Sequence, residues 1–218
     1  MHSRPLSGLS RIGAEPARVL NSSGHPIAMI ERAKPERLNA FSDGVFAVLI
    51  TVLVLELRPP ETPSLAALLD LWPRWVSYAV SYIFIAIVWV NHHHLMRYAT
   101  EATAGLIWFN FGHLFSVSLL PLSTAWMAVS ELAAQPVAFY AAVFFLVNLT
   151  YLLLLWELIG RRGARFAAKL RTRMMIRASI SLVLFGAVAI LALWFPISGL
   201  IICCACLVFY IRPEAPGA

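Results

Sequence analysis

Charged residues are scarce in this sequence. Of its 218 residues, 17 are Lys or Arg and 11 are Asp or Glu, so that 13% are charged and 60% are hydrophobic. An average soluble domain has about 25% charged residues. This scarcity excludes a large soluble domain and predicts that lipid surrounds most of the chain.

The sequence also lacks an apolar run near its N-terminus. The first 36 residues contain no stretch resembling the hydrophobic core of a secretory signal peptide, so we expect membrane insertion to begin with the first helix. Residues 1–35 are rich in Ser, Pro, Gly and Arg. Such a composition favours a disordered basic cytoplasmic arm, followed by a membrane domain over residues 36–212 and a short cytoplasmic tail over 213–218.

Metal-binding and catalytic patterns are sparse. The three cysteines, Cys203, Cys204 and Cys206, lie within one apolar run without a neighbouring histidine or carboxylate, and we expect small buried hydrophobic side chains there. Residues 92–94 are consecutive histidines, which project about 100° apart on a helix. We expect one of them to be buried and hydrogen-bonded and the other two to lie at the cytoplasmic interface. No His-Glu-x-x-His pattern is present.

Long apolar runs are what the sequence has in abundance. Runs of about 20 residues are long enough to cross a membrane as helices, and open strands cannot satisfy their backbone groups in lipid. The sequence therefore predicts an all-α integral membrane protein with six transmembrane helices. The predicted spans are 37–57, 76–96, 105–127, 137–157, 176–195 and 197–211. Trp194-Phe195-Pro196 separates the last two, which form either a tight hairpin or one kinked helix.

Basic residues are distributed unequally between the two sides of these six spans. Only Arg58 and Arg74 fall on one side, which leaves fifteen of the seventeen Lys and Arg residues on the other. Under the positive-inside rule, both termini are expected in the cytoplasm and the protein in the inner (plasma) membrane. The net charge of +6 thus describes orientation, and no soluble basic face remains for nucleic acid.

The first span has two unusual faces. A projection at 100° per residue groups large apolar residues into one seam: Phe41, Val45, Val48, Val52 and Leu55. Beside it runs a stripe of small residues at spacings of four, three and four: Ala40, Gly44, Ala47 and Thr51. Such a stripe allows two helix backbones to approach closely in a membrane.

Asp43 lies about one turn inside the first span. A carboxylate at that depth is costly unless it is paired, so we expect it to face protein or water and to have a partner. The candidate partners are Arg37, Asn39, Trp89, His93 and Asn110. A simple helix anchor formed by Arg37 and Asp43 is an equally acceptable interpretation.

The stretch Arg37-x-x-x-Phe41-Ser42-Asp43-Gly44-Val45-Phe46-Ala47, continued by Thr51 and Val54-Leu55-Glu56-Leu57, resembles a known family. It is similar to the first-helix signature of the lysosomal potassium channel and its prokaryotic homologues. Trp89 and His93 resemble that family's Trp-x-x-x-His pair in helix two, and Leu120-Pro121-Leu122 its proline late in helix three.

The resemblance implies a homotetramer, surrounded by membrane lipid, in which helix one lines a central pore permeable to potassium. The chain has no TVGYG-like loop of the kind that coordinates dehydrated potassium. Carried over by position, the pore constriction and hydrophobic gate would be rings of Val48, Val52 and Leu55, with Thr51 contributing to selectivity. The permeant potassium ion would be the only ligand, without a cofactor.

The resemblance also implies an inter-helix packing network around the pore helix. Its members would be Arg37, Phe41, Ser42, Asp43, Trp89 and His93, which would hold subunits together. Glu56 would lie at the outer mouth, where it either attracts cations or is merely a solvated charge at the interface.

Two other classes of function were compared with a channel. A secondary transporter is disfavoured because the halves of the chain show no sequence repeat and only Asp43 is a candidate buried carboxylate. An intramembrane enzyme would have to use residues 92–94 with Asp43 or His113, which lack metal-ligand spacing. We therefore expect a passive potassium channel that is not an enzyme, with an ion-coupled transporter as the alternative.

Overall fold

The computed structural model describes residues 35–160 and 168–210. The predicted N-terminal arm up to residue 34, the basic residues Arg161, Arg162 and Arg165, and the predicted tail lie outside the described residues. All regular secondary structure in the described part is helical. Its elements are α1 (Pro35–Leu55), α2 (Leu65–Asp70), α3 (Trp72–Met96), α4 (Ala104–Ser118), α5 (Leu120–Val129), α6 (Ala134–Leu155) with a π-helical turn (Trp156–Gly160), α7 (Ala168–Leu191) and α8 (Pro196–Tyr210).

The helices confirm the predicted all-α membrane architecture. Five segments are long and apolar enough to cross a membrane: α1, α3, α4 together with α5, α6 with its π-helical turn, and α7. The sixth, α8, is apolar but has only 15 residues, which at 1.5 Å per residue is shorter than a typical span. The predicted boundaries are close to those observed, although α3 and α7 begin earlier than their apolar runs.

The third predicted span is interrupted at Leu119. Proline has no backbone N–H and its ring clashes with the preceding turn, so Pro121 ends α4 and occupies the first turn of α5. Hydroxyl groups near the break bond to carbonyls of their own helices: Ser116 Oγ to His113 O at 2.7 Å and Thr124 Oγ1 to Leu120 O at 2.7 Å. These bonds satisfy acceptors near the interruption.

The last two helices form the hairpin and not the kinked single helix. Leu207 of α8 lines the same cavity as Ser181 and Phe185 of α7. In one continuous helix these residues would lie more than 30 Å apart at 1.5 Å per residue. Pro196 begins α8, where its missing N–H costs nothing, and Gly199 packs directly against Ala192.

The core surrounds α6, which packs against α4, α5, α7 and α8. Phe144 of α6 stacks on Phe84 of α3 with a centroid separation of 3.6 Å, and Phe185 of α7 meets both rings edge-on. On the opposite side of the bundle, α1 packs against α3, α4 and α5. This arrangement leaves α1 at the edge of the subunit.

Candidate functional site: the first helix and its polar partners

One face of α1 is buried in the subunit and another is left uncovered. The buried face follows helical spacing through Leu38, Ser42, Phe46, Leu49 and Leu53. Large apolar side chains on the other face are exposed in the isolated subunit: Phe41 50%, Val48 58%, Val52 37% and Leu55 73%. Four of the five residues of the predicted seam are therefore uncovered, while Val45 packs partly against the core.

The predicted stripe of small residues is exposed as well. The four residues of this stripe are all on the uncovered side of α1: Ala40, Gly44, Ala47 and Thr51. Apart from chain neighbours and the nearby backbone of α1, no heavy atom lies within 4 Å of a Cβ built on Gly44. The Thr51 hydroxyl donates to Val48 O at 2.7 Å. With its hydrogen used in this bond, the Thr51 oxygen keeps its lone pairs as acceptors.

Asp43 has its partner on α3. Trp89 Nε1 donates to Asp43 Oδ1 at 2.8 Å, and the Trp89 ring lies 5.5 Å from that of His93. Within the described residues, this indole bond, and not the alternative anchor to Arg37, is the pairing that Asp43 makes. Arg37 lies exposed in the first turns of α1.

The other polar residue of the signature, Ser42, belongs to a buried network. Asn110 Nδ2 donates to Ser42 Oγ at 3.0 Å, and Ser42 Oγ in turn donates to Leu38 O at 2.9 Å. Asn110 Oδ1 lies 2.7 Å from His92 Nε2, and since a carbonyl oxygen can only accept, His92 carries its proton on Nε2. One amide of α4 thus connects α1 with α3.

A second buried histidine continues this network into the bundle. The ring of His113 lies parallel to that of His92, with a centroid distance of 5.7 Å and an angle of 6°. His113 Nδ1 is 3.0 Å from Thr150 Oγ1, which itself lies 3.0 Å from the Leu146 and Val147 carbonyls. Thr150 Oγ1 also lies 2.8 Å from Ser116 Oγ, so the two hydroxyls and the imidazole form one hydrogen-bonded group.

The sequence interpretation placed His93 in the network and left out His92, His113 and Thr150. One buried histidine was expected among residues 92–94, and His92 is that residue, while His93 and His94 are partly exposed. The buried positions of α3, which include Ser81, Ile85, Val88 and His92, recur at spacings of three and four. That periodicity is the signal that would have selected His92.

The remaining predicted positions lie at the two ends of α1. The Phe41 ring contacts that of Phe111 on α4 at a centroid distance of 5.3 Å. Glu56 follows the last residue of α1 and lines a cavity of about 320 Å³ together with Arg58 and Arg74. Two arginines near this carboxylate reduce the negative potential that it can produce there.

The described residues contain no group of three His, Cys, Asp or Glu side chains placed to hold a metal ion. Cys203 and Cys206 are buried and Cys204 is partly buried, all three as free thiols. Cys203 and Cys206 pack in the apolar core. In the described part of the chain they act as small hydrophobic side chains.

Comparison with known proteins relates this chain to a family. A family model described as endosomal/lysosomal potassium channel TMEM175 matches residues 37–121. A protein from Chryseobacterium sp. (strain P1-3) named as a potassium channel is 36% identical over 149 residues, which are 68% of this chain and 78% of that protein. The human endosomal/lysosomal proton channel TMEM175 is 31% identical over 131 residues, but the match spans only 26% of its length.

A solved structure has the same fold. The crystal structure of a lysosomal potassium-selective channel TMEM175 homolog from Chamaesiphon minutus superposes with a TM-score of 0.74 at 24% identity. The match covers 81% of this chain and 95% of that one. The described helices and the match across most of the Chryseobacterium relative lead to one conclusion: this chain belongs to the TMEM175 family.

Proposed function

We propose that four copies of this chain form a passive, potassium-preferring cation channel, with α1 around a central pore. The observation that carries the proposal is the uncovered half of α1. Its exposed side combines the apolar seam with Thr51, Gly44 and the partly exposed Asp43. A carboxylate is costly on a helix face that contacts lipid alone, so this face is expected to meet protein or water. The names of the bacterial relatives support the same function.

The proposed constriction consists of Val48, Val52 and Leu55. These residues lie four and three positions apart, so rings formed by four copies would be stacked about 6 and 4.5 Å apart along the helix. Rings of branched aliphatic side chains narrow a pore and can gate it by dewetting. Such rings offer no ligand to a dehydrated ion, so we infer that they rank cations by the cost of removing water, which is lower for potassium than for sodium.

Thr51 lies beside this constriction and would add a hydroxyl from each subunit. Its hydrogen is engaged by Val48 O, so its oxygen is available as an acceptor toward a partly hydrated cation. The outer-mouth role of Glu56 is weaker, because Arg58 and Arg74 share its cavity. The proposed ligand of the channel is the permeant potassium ion.

We infer the orientation from the distribution of basic residues. The described residues Arg37, Arg97, Arg171, Arg173 and Arg177 fall at the ends of helices that share one side if successive spans alternate in direction, with Arg58 and Arg74 at the other. With the positive-inside rule, this supports cytoplasmic termini and insertion in the bacterial plasma membrane. The charge asymmetry gives the orientation but does not identify the membrane, so the assignment to the plasma membrane rests on the bacterial relatives.

The constriction predicts a specific effect of Val48→Asn. Placing four amides in the proposed narrow ring should let hydrated sodium through and reduce the preference for potassium. We expect the reversal potential of purified protein in planar bilayers, under potassium on one side and sodium on the other, to move toward zero by tens of millivolts. Recordings with equal potassium on both sides and no sodium distinguish passive current, which persists, from coupled transport, which needs a gradient of a second ion.

A matched control is Val183→Asn. Val183 is 72% exposed on α7, a helix that packs against α6 and α8, so the same substitution there should leave the reversal potential unchanged. An unchanged reversal potential in Val48→Asn would refute the assignment of Val48 to the narrow ring. Absence of any current from well-folded wild-type protein would contradict the channel itself.

A further inference from the structure

Two neighbouring cavities lie at the C-terminal end of α1. The larger, of about 320 Å³, is bounded by residues at the ends of α1 and α5 and near the start of α3, with Glu56 and Tyr78 among them. The smaller, of about 150 Å³, has a mainly apolar lining. Arg58 and Arg74 line both cavities. These two side chains therefore lie where the cavities adjoin.

The two arginines give this place an excess of positive charge. They are the two basic residues that the predicted spans leave on this side of the membrane, and the connection between α1 and α3 brings both to one space. Among the described residues, neither guanidinium group of Arg58 and Arg74 forms an ion pair or a side-chain hydrogen bond. Glu56 is the acidic residue in the described lining. Two cations with one carboxylate leave a positive potential in the larger cavity.

The groups around the larger cavity are mainly hydrogen-bond donors. Each guanidinium group presents a fork of N–H groups that matches the oxygens of a phosphate. The Tyr78 hydroxyl, which has no hydrogen bond in the described part of the chain, can donate as well. Water also fits this volume, but it carries no charge and would leave the excess positive charge in place. An anion with several oxygens satisfies both the charge and the donors.

Tryptophan side chains indicate that this site lies at the level of the lipid headgroups. Trp72 and Trp75 are exposed at the start of α3, and tryptophan is enriched where a membrane meets water. Trp75 Nε1 donates to Leu68 O at 3.3 Å and so connects α3 to α2, on which Leu65 and Leu69 are exposed one turn apart. The phosphate groups of phospholipids occupy the same level, so the two arginines face a layer rich in phosphate.

We propose that the larger cavity binds the phosphate group of an anionic phospholipid, of which phosphatidylglycerol is an example. Arg58 and Arg74 donate to the phosphate oxygens, and the acyl chains run past the apolar lining of the smaller cavity. The bound phosphate connects the residues after α1 to the first turn of α3, and thereby holds the C-terminal end of α1 in place. One chain supplies every group invoked, so binding does not depend on the proposed pore.

Binding is tested with the full-length protein in neutral detergent, titrated with dioleoylphosphatidylglycerol and followed by native mass spectrometry. We expect one lipid per subunit, bound at least about tenfold more tightly than dioleoylglycerol, which has the same chains and no phosphate. Millimolar inorganic phosphate should not displace the lipid, because it has no acyl chains. Displacement by inorganic phosphate would make the free anion the ligand, and equal affinity for dioleoylglycerol would remove the phosphate from recognition; either result overturns the proposal.

Four single variants locate the site. Arg58→Gln and Arg74→Gln should each weaken binding at least about fivefold. Arg97→Gln removes an exposed arginine at the other end of α3 and should change the affinity less than about twofold, because that distance exceeds the screening length. Glu56→Gln removes the competing carboxylate and should strengthen binding about twofold or more, a gain that misfolding cannot imitate. Equal losses in Arg74→Gln and Arg97→Gln would overturn the site by showing a general effect of charge.

Discussion

Asn110 connects three helices through a single side chain. The amide lies on α4, is completely buried, and bonds to Ser42 on α1 and His92 on α3. Because lipid and core offer no water, each freed partner of this amide would have to find a new bond or remain unsatisfied. The orientation of the first helix against the bundle therefore depends on a residue outside the signature.

We expect Asn110→Leu to destabilise the subunit by about 2 kcal/mol, since it removes two interhelical hydrogen bonds of about 1 kcal/mol each. Ser42→Ala removes one of them and should cost about half as much. Both are measured as shifts in the SDS-unfolding midpoint of the purified protein. Equal midpoints for wild type and Asn110→Leu would show that the network does not stabilise the fold.

The hydrogen-bond partners of individual side chains were the least predictable part of this site. Asp43, Trp89 and Asn110 were all candidates from sequence, but only the packing of α1 against α3 and α4 decided that Trp89 bonds Asp43 and Asn110 bonds Ser42. His113 and Thr150 are 37 positions apart and no spacing rule connects them. Contacts between helices depend on rotation about each axis, which composition does not determine.

At the level of elements, apolar length predicted nearly all of the fold. The bilayer requires spans of about 20 residues, so the positions of the helices were readable from the sequence. The turn before Pro196 was predicted from proline chemistry, whereas the break at Leu119 was not, because 105–127 was predicted as one span. The hairpin between α7 and α8 was one of two acceptable interpretations, because the sequence does not show where α8 packs after the turn.

The hairpin depends on close contact between Gly199 and Ala192. A Cβ on Gly199 would lie 2.9 Å from Ala192 Cβ and 3.3 Å from its Cα, and backbone cannot move aside as a flexible side chain can. We therefore expect Gly199→Ala to separate the start of α8 from the end of α7 and to destabilise the protein by about 1–3 kcal/mol. The measurement is thermal unfolding in detergent.

Gly112 provides the matched control for that substitution. It also lies within a helix, but apart from its chain neighbours and the nearby backbone of that helix no heavy atom lies within 4 Å of its built Cβ. Alanine there should be neutral or stabilising by up to about 1 kcal/mol, because it favours helix more than glycine does. If Gly199→Ala were as stable as Gly112→Ala, the α7–α8 contact would not be tight in the folded protein.

At the scale of the whole molecule, the uncovered half of α1 is the main reason to expect an assembly. The seam and the stripe of small residues were visible in the sequence, and the structure leaves both exposed in one subunit. Exposure alone does not distinguish lipid from protein as the neighbour, because both are apolar. The number of subunits was suggested only by family resemblance, since no single chain specifies its own symmetry.

Asp43 offers a test of that assembly. Its carboxylate accepts from Trp89 Nε1 next to the exposed stripe, where we propose that neighbouring subunits meet. Asp43→Ala removes the acceptor for Trp89 within each subunit, at a cost of about 1 kcal/mol, and so loosens α1 against α3 and displaces the exposed stripe in every copy. We expect light scattering after size exclusion to show mostly smaller species, while Asp43→Asn, which keeps an acceptor oxygen for the indole, should remain tetrameric. If Asp43→Ala instead gives a stable tetramer with an altered reversal potential under bi-ionic conditions, the carboxylate acts on the permeant ion, and not in assembly.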